Sequence, residues 1–250
     1  MKQLIVTADD FGMSHEVNEA IERDHQAGLL TQASLMVNEP GADEAARIAR
    51  RNPKLCVGLH LTLCLGSATR ISGLTDASKN LEPSPVRAGL RYFFNARLRD
   101  GLAHEISAQF ARFLEFGFAP GYWDGHTHLH LHPTVFDLSV PVAHGLGFRA
   151  VRLVRERGSR PIPLIFQWLS RRAIPPLRAR GIRFTDRIFG LRRTGRMDTR
   201  YFENTIRKLP CGVSEIYYHP GAEQFSIDAG RIAGVAVQTG VVLSSWRELG

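Results

Sequence analysis

Asp9 and Asp10 close the apolar run Leu4-Ile5-Val6-Thr7-Ala8 and are followed by Phe11-Gly12. Two adjacent carboxylates at the exit of a buried strand are costly unless they are paired, bound to a cation or shifted in pKa. Suitable partners end other apolar runs. They are His60 in Gly58-Leu59-His60-Leu61, the set His126, His128, His130 and His132 after Trp123-Asp124-Gly125, and His219 in Tyr217-Tyr218-His219-Pro220-Gly221. Carboxylates and imidazoles in this number suit one divalent metal ion and point to a hydrolase. One aspartate can bind the ion while its neighbour takes a proton from water.

Each motif has a plainer reading as well. Adjacent aspartates are common in turns, and a single histidine such as His60 is usually a core residue held by one hydrogen bond. The alternation from His126 to His132 differs, because on an extended segment it places all four imidazoles on one side, facing one cavity. Pro220 holds His219 extended, and Gly221 lets backbone approach a ligand closely. His219 is therefore a candidate general acid. Asn38 and Glu39, at the end of the second strand, are candidates to line the site, and Tyr217 and Tyr218 read as wall.

These residues need elements that bring them together. Leu4–Ala8 reads as a strand, followed by a helix with Ser14 as N-cap and Val17, Ala20 and Ile21 on its inner face. Thr31–Val37 reads as a strand, Gly41–Arg51 as a helix, and Leu55–Leu63 as a strand. Residues 66–96, rich in Gly, Ser and Pro, read as a long loop over the site. Leu98–Phe116 and Val135–His144 are expected to be helical, with Gly121–Asp124 a strand between them. Phe148–Val154, Ile182–Thr185, Ser214–Tyr218 and Val241–Ser244 complete the strands, and Thr199–Lys208 is a further helix. Alternating strands and helices predict one α/β domain over residues 1–250, a TIM-like (β/α) barrel, irregular or seven-stranded. In such barrels chemistry sits at the carboxyl ends of the strands, where Asp9, Asp10, His60, His126 and His219 all fall.

The 250 residues are 44% apolar, ordinary for a full core. The N-terminus lacks the apolar stretch of a secretory signal, and no run approaches the ~20 apolar residues that span a bilayer. Three cysteines without a Cys-x-x-Cys do not make a disulfide framework, so a cytoplasmic protein is expected. The net charge of +8 is uneven: 15 Arg, no Lys and three acids lie between Arg149 and Arg200, a local +12 against −4 elsewhere. Within the insertion at about 155–198, the apolar run Pro161–Leu169 is bounded by Arg160 and Arg171-Arg172, a pattern that suits an anionic membrane interface. No base-reading motif accompanies it, so nucleic acid is not expected as a partner.

Thr7-Ala8-Asp9-Asp10-Phe11-Gly12, Gly58-Leu59-His60-Leu61, Asp124-Gly125-His126-Thr127-His128-Leu129-His130 and His219-Pro220-Gly221 resemble, in order and spacing, the YdjC/ChbG-type carbohydrate deacetylases. The resemblance implies a TIM-like barrel that removes N-acetyl groups from amino sugars with one divalent ion, Mg2+ or Zn2+. By motif position, Asp10, His60 and His126 are the implied metal ligands, Asp9 the base and His219 the acid. Asn38, His128, His130 and Gly221 are the candidate substrate contacts. Thr127 stands where the family usually has a second histidine. The chain is most similar to the hopanoid-biosynthesis-associated branch, which implies a lipid-linked amino sugar as substrate. Peripheral contact with the inner face of an anionic membrane, read from the arginine-flanked apolar run, and a homodimer are further expectations. A soluble chito-oligosaccharide is the alternative substrate. A metal-stabilised lipid- or carbohydrate-binding protein without catalysis is the alternative class.

Overall fold

The computed structural model describes residues 1–156, 158–221 and 226–249. Strands and helices alternate as the apolar patterning requires. Strand β1 (Lys2–Phe11) is buried from Leu4 onward, and helix α1 (His15–Gln26) follows, its N-cap Ser14 accepting the Val17 N–H. Then come β2 (Gln32–Leu35), α2 (Ala42–Arg51), β3 (Cys56–Leu61), α3 (Pro85–Phe94), α4 (Arg99–Glu115) and β4 (Tyr122–Gly125). A tight 3-10 segment over His126–Leu131 leads into α5 (Pro133–Gly145) and the short β5 (Ala150–Val151). The remainder is α6 (Pro161–Ala179), β6 (Arg183–Phe184), β7 (Arg187–Phe189), α7 (Thr199–Arg207), β8 (Gly212–Tyr218), α8 (Ala229–Gln238) and β9 (Val241–Leu243).

All the ladders are parallel, in the order β6-β5-β4-β3-β2-β1-β8-β7, with β9 added beside the start of β1. The result is a curled α/β sheet of half-barrel type with short outer strands, not a regular closed TIM barrel. Among the described residues no ladder joins β6 to β7. Only Thr185 and Asp186 separate them, so the bent stretch 183–189 carries both ends of the strand order. Parallel strands buried on both faces explain the near-continuous apolar runs that marked them in the sequence.

Three expectations change. The 66–96 segment contains a helix, α3, started by Ser84 as N-cap and Pro85 in the first turn. The strand expected over Phe148–Val154 pairs only at Ala150 and Val151, because the chain leaves the sheet at Arg152. The apolar run in the arginine-rich insertion is helical and extends to Ala179.

The inward faces of the strands are filled by polar groups. Gly58 makes room for them, since a Cβ there would lie 2.5 Å from the Tyr122 ring. Tyr122 in turn donates its hydroxyl to the Ala33 carbonyl at 2.7 Å.

Candidate active site

Successive strand side chains point to opposite faces, so Asp9 and Asp10 share one rim only if the backbone breaks step. It does. The β1–β2 register shifts between Ala8 and Phe11, and Asp10 is left-handed with φ 65°. A bulge of this kind re-aims a side chain, and the strain of a left-handed non-glycine residue is typical of functional positions. Both carboxylates are buried, at 2% and 7% exposure.

Asp10 Oδ1 lies 2.9 Å from His126 Nδ1 and 3.3 Å from His60 Nε2. One donor atom from each of Asp10, His60 and His126 falls within 4.8 Å of the others. His60 on β3 stands opposite Asp124 on β4, and its Nδ1–H donates to Asp124 Oδ1 at 2.6 Å. That bond fixes the tautomer and turns Nε2 toward Asp10. Burial pushes the Asp10 carboxyl up, but hydrogen bonds with His126 and His60 outweigh it and hold the group well below the usual carboxylate range. For His60, burial lowers the pKa while Asp124 and Asp10 raise it further, to about 10. A field that favours a proton so strongly favours any cation at the same place.

Arg152, 1% exposed, is the centre of a second cluster. Its Nη1–H and Nη2–H donate to Asp9 Oδ2 and Oδ1 at 2.7 and 2.8 Å. Its Nη2 also reaches Asp124 Oδ2 at 2.9 Å, and its Nε–H donates to Glu215 Oε1 at 2.9 Å. Ser34 donates to Asp124 Oδ2 at 2.7 Å and Thr7 to Glu215 Oε1 at 2.8 Å. The Tyr217 ring lies over the guanidinium at 4.8 Å and closes the network as a wall. Burial pushes the Glu215 carboxyl up, while Arg152 and Thr7 oppose the shift. One carboxylate, two imidazoles and a supporting carboxylate behind His60 fit a divalent ion.

The histidine alternation is not an extended strand. Thr127 and His128 are left-handed, with φ 54° and 60°. The chain turns back so closely that a Cβ on Gly125 would meet His130 Cβ at 2.9 Å. The four rings therefore diverge. His126 faces Asp10, and His128 Nε2 lies 2.9 Å from the Tyr217 hydroxyl. His130 donates from Nε2 to the Arg152 carbonyl at 2.9 Å, beneath the rim, so it holds Arg152 in place and does not face the cavity. His132 packs edge-on against Phe93.

Burial holds His130 in its neutral form, pushing its pKa down to about 4, although the bond to the Arg152 carbonyl and Asp124 oppose the shift and Arg152 and His60 add to it. The unfolded chain binds this proton near pH 6.5, so the contribution is intact above that value and is lost as pH falls toward 4, about 3 kcal/mol in all. Denaturant titrations at pH 7 and 4.5 should show this loss in the native chain and a smaller one in His130→Gln. An unchanged pH slope in the variant would count against the assignment.

Of the remaining expected residues, Asn38 donates to the Ser67 carbonyl, Thr69 and Glu105, anchoring the start of the 66–96 segment. Gly221 has φ 81°, and a Cβ built on it would lie 3.7 Å from Ala20 Cβ and Val17 Cα of α1. His219 is half-buried, edge-on to Tyr217, one residue beyond the Ala8–Tyr218 pair. Sequence reasoning missed Arg152, Glu215 and Ser34 and gave Asp124 no role. The available signal was a lone charge inside an apolar run, Ala150-Val151-Arg152-Leu153-Val154, and another at Ser214-Glu215-Ile216.

A parallel α/β barrel-like sheet with aspartates and histidines gathered at its carboxyl rim defines a hydrolase-type architecture. The chain belongs to the YdjC-like protein family, which it matches over residues 3–246. It is 30% identical to a carbohydrate deacetylase of Mus musculus over 281 residues, covering 98% of this chain and 90% of that one. A chitooligosaccharide deacetylase of Salmonella typhimurium is 34% identical over 162 residues, or 61% of this chain, and the match spans 60% of that relative's length. The fold is shared with an Enterococcus faecalis protein named for a proposed cellobiose-phosphate cleavage role, at TM-score 0.76 and 19% identity, covering 100% and 99% of the two chains.

Proposed function

We propose that this chain hydrolyses the N-acetyl group of an amino sugar carried on a hopanoid lipid, at the cytoplasmic face of an anionic membrane. As a member of a family whose relatives are carbohydrate deacetylases, it is an amide-hydrolysing enzyme acting on carbohydrate. The observation that carries the catalytic reading is the Asp10–His60–His126 cluster beside an aspartate gripped by Arg152. Asp10, His60 and His126 supply the donor set for Mg2+ or Zn2+, whose chemistry when bound is Lewis-acid polarisation and activation of water. Asp9 takes the proton of the attacking water, held in orientation by the two Arg152 N–H groups. His219 protonates the departing amine. Asp124 keeps His60 in one tautomer throughout.

The lipid reading is supported by α6, where Leu164 and Trp168 are 51% and 60% exposed between Arg160 and Arg171-Arg172. Apolar side chains flanked by cations suit the interface of an anionic bilayer. Among the described residues no helix is long and apolar enough to cross a membrane. A soluble chito-oligosaccharide is the second reading, favoured by the name of the Salmonella relative.

Acetate release separates these readings. It is measured from N-acetylglucosaminyl hopanoid in anionic and in zwitterionic vesicles, and from N,N'-diacetylchitobiose, each with and without chelator. The expected result is chelator-sensitive release from the lipid, faster on anionic vesicles. Release from the sugar alone would discard the lipid, and equal rates on both vesicles would discard the membrane contact. Silence on every substrate would leave a binding protein.

A further inference from the structure

The helices α3 and α6 face one another across a cavity of about 560 Å³. Leu90 and Phe93 line it from α3, Ile162 and Ile165 from α6, and Thr127 and His128 form part of its floor. The four apolar side chains are 55%, 57%, 60% and 56% exposed. No Asp, Glu, Lys or Arg lines it among the described residues. Solvent-facing apolar surface concentrated in one concave patch is the mark of a binding site.

Resting on the deacetylase reading above, we propose that this groove is the subsite for an apolar aglycone, so that the substrate is an amino sugar joined to a hydrocarbon body. Position selects this occupant. The floor residue Thr127 directly follows His126, whose imidazole meets Asp10, so a body filling the groove is continuous with a sugar at the cluster. Chemistry selects it too. A second sugar ring placed here would give up its hydrogen bonds to water and find few replacements, which is unfavourable for each unpaired hydroxyl. A hydrocarbon loses nothing there and removes the exposed apolar area from water. The two walls come from the 66–96 and 155–198 segments, so both excursions from the sheet serve one purpose: they read the part of the substrate that is not sugar.

The test uses the full chain and the double variant Phe93→Ser/Ile165→Ser, whose exposed positions tolerate serine. Hydrolysis of octyl N-acetyl-β-D-glucosaminide is compared with that of N,N'-diacetylchitobiose. Binding is followed separately by displacement of the neutral probe N-phenyl-1-naphthylamine with octyl β-D-glucoside, which carries no acetyl group. The expected result is a fall in kcat/KM for the octyl substrate at least about 30-fold larger than for the disaccharide. Probe displacement should occur in the native chain and be lost in the variant. If both substrates are cleaved with the same ratio in both proteins and the glucoside displaces nothing, the groove assignment is overturned and the deacetylase reading stands. If neither substrate is cleaved but displacement is seen and is lost in the variant, the apolar site is upheld and the deacetylase reading fails. A native dimer that dissociates in the variant, with no displacement, would make a second copy the occupant and overturn the proposal.

Discussion

Asp9→Asn is expected to lower kcat for acetate release about 10²–10⁴-fold, the range lost when a positioned general base is removed. The amide keeps the size of the carboxylate but cannot take a proton from water. Asp10, His60 and His126 keep their own contacts, because none of the bonds that join them passes through Asp9. Metal content by elemental analysis should therefore stay near that of the native chain. Joint loss of metal and activity would move Asp9 into the ligand set, which its approach to His60 and Asp124 makes a concrete alternative. Retention of both would remove its catalytic role.

Arg152→Met is expected to be the most destabilising single change in the molecule. The methionine fills similar volume but leaves Asp9, Asp124 and Glu215 buried around an apolar side chain. Breaking a buried ion pair by removing one partner costs about 3–5 kcal/mol, because the remaining charge keeps its desolvation penalty. Urea denaturation of the two proteins measures this directly. Lysine should rescue only part of the loss, since a point charge cannot reproduce the planar fork that reaches three carboxylates. A loss below about 1 kcal/mol would show that the network is relieved by solvent and does not organise the strands.

The gathering of Asp9, Asp10, His60, His126 and His219 at one rim was legible because each ends an apolar run, and parallel strands deliver such ends to one side. What could not be read was how Asp9 and Asp10 escape strand alternation, because a bulge and a left-handed residue leave no compositional trace. The His126–His132 pattern misled for a related reason. Alternating His and Leu looks the same for an extended segment as for a tight turn, and only the backbone at Thr127 and His128 decides between them. Arg152 was hidden by being counted with the fifteen arginines of a basic surface, although its apolar neighbours set it apart from the rest. The helix α3 was masked by Gly, Ser and Pro that proved to be its cap, its first turn and its approach.

The bent stretch 183–189 bears on how the chain behaves in concentrated solution. A sheet that does not close by a ladder ends in two edges, and unpaired backbone at an edge can recruit another molecule's strand. Here the edges are two and three residues long, joined end to end by a buried Thr185 and by Asp186, which exchanges hydrogen bonds with Val213. A template so short cannot hold a foreign strand in register. The seam that leaves the sheet irregular also protects it against edge-to-edge aggregation.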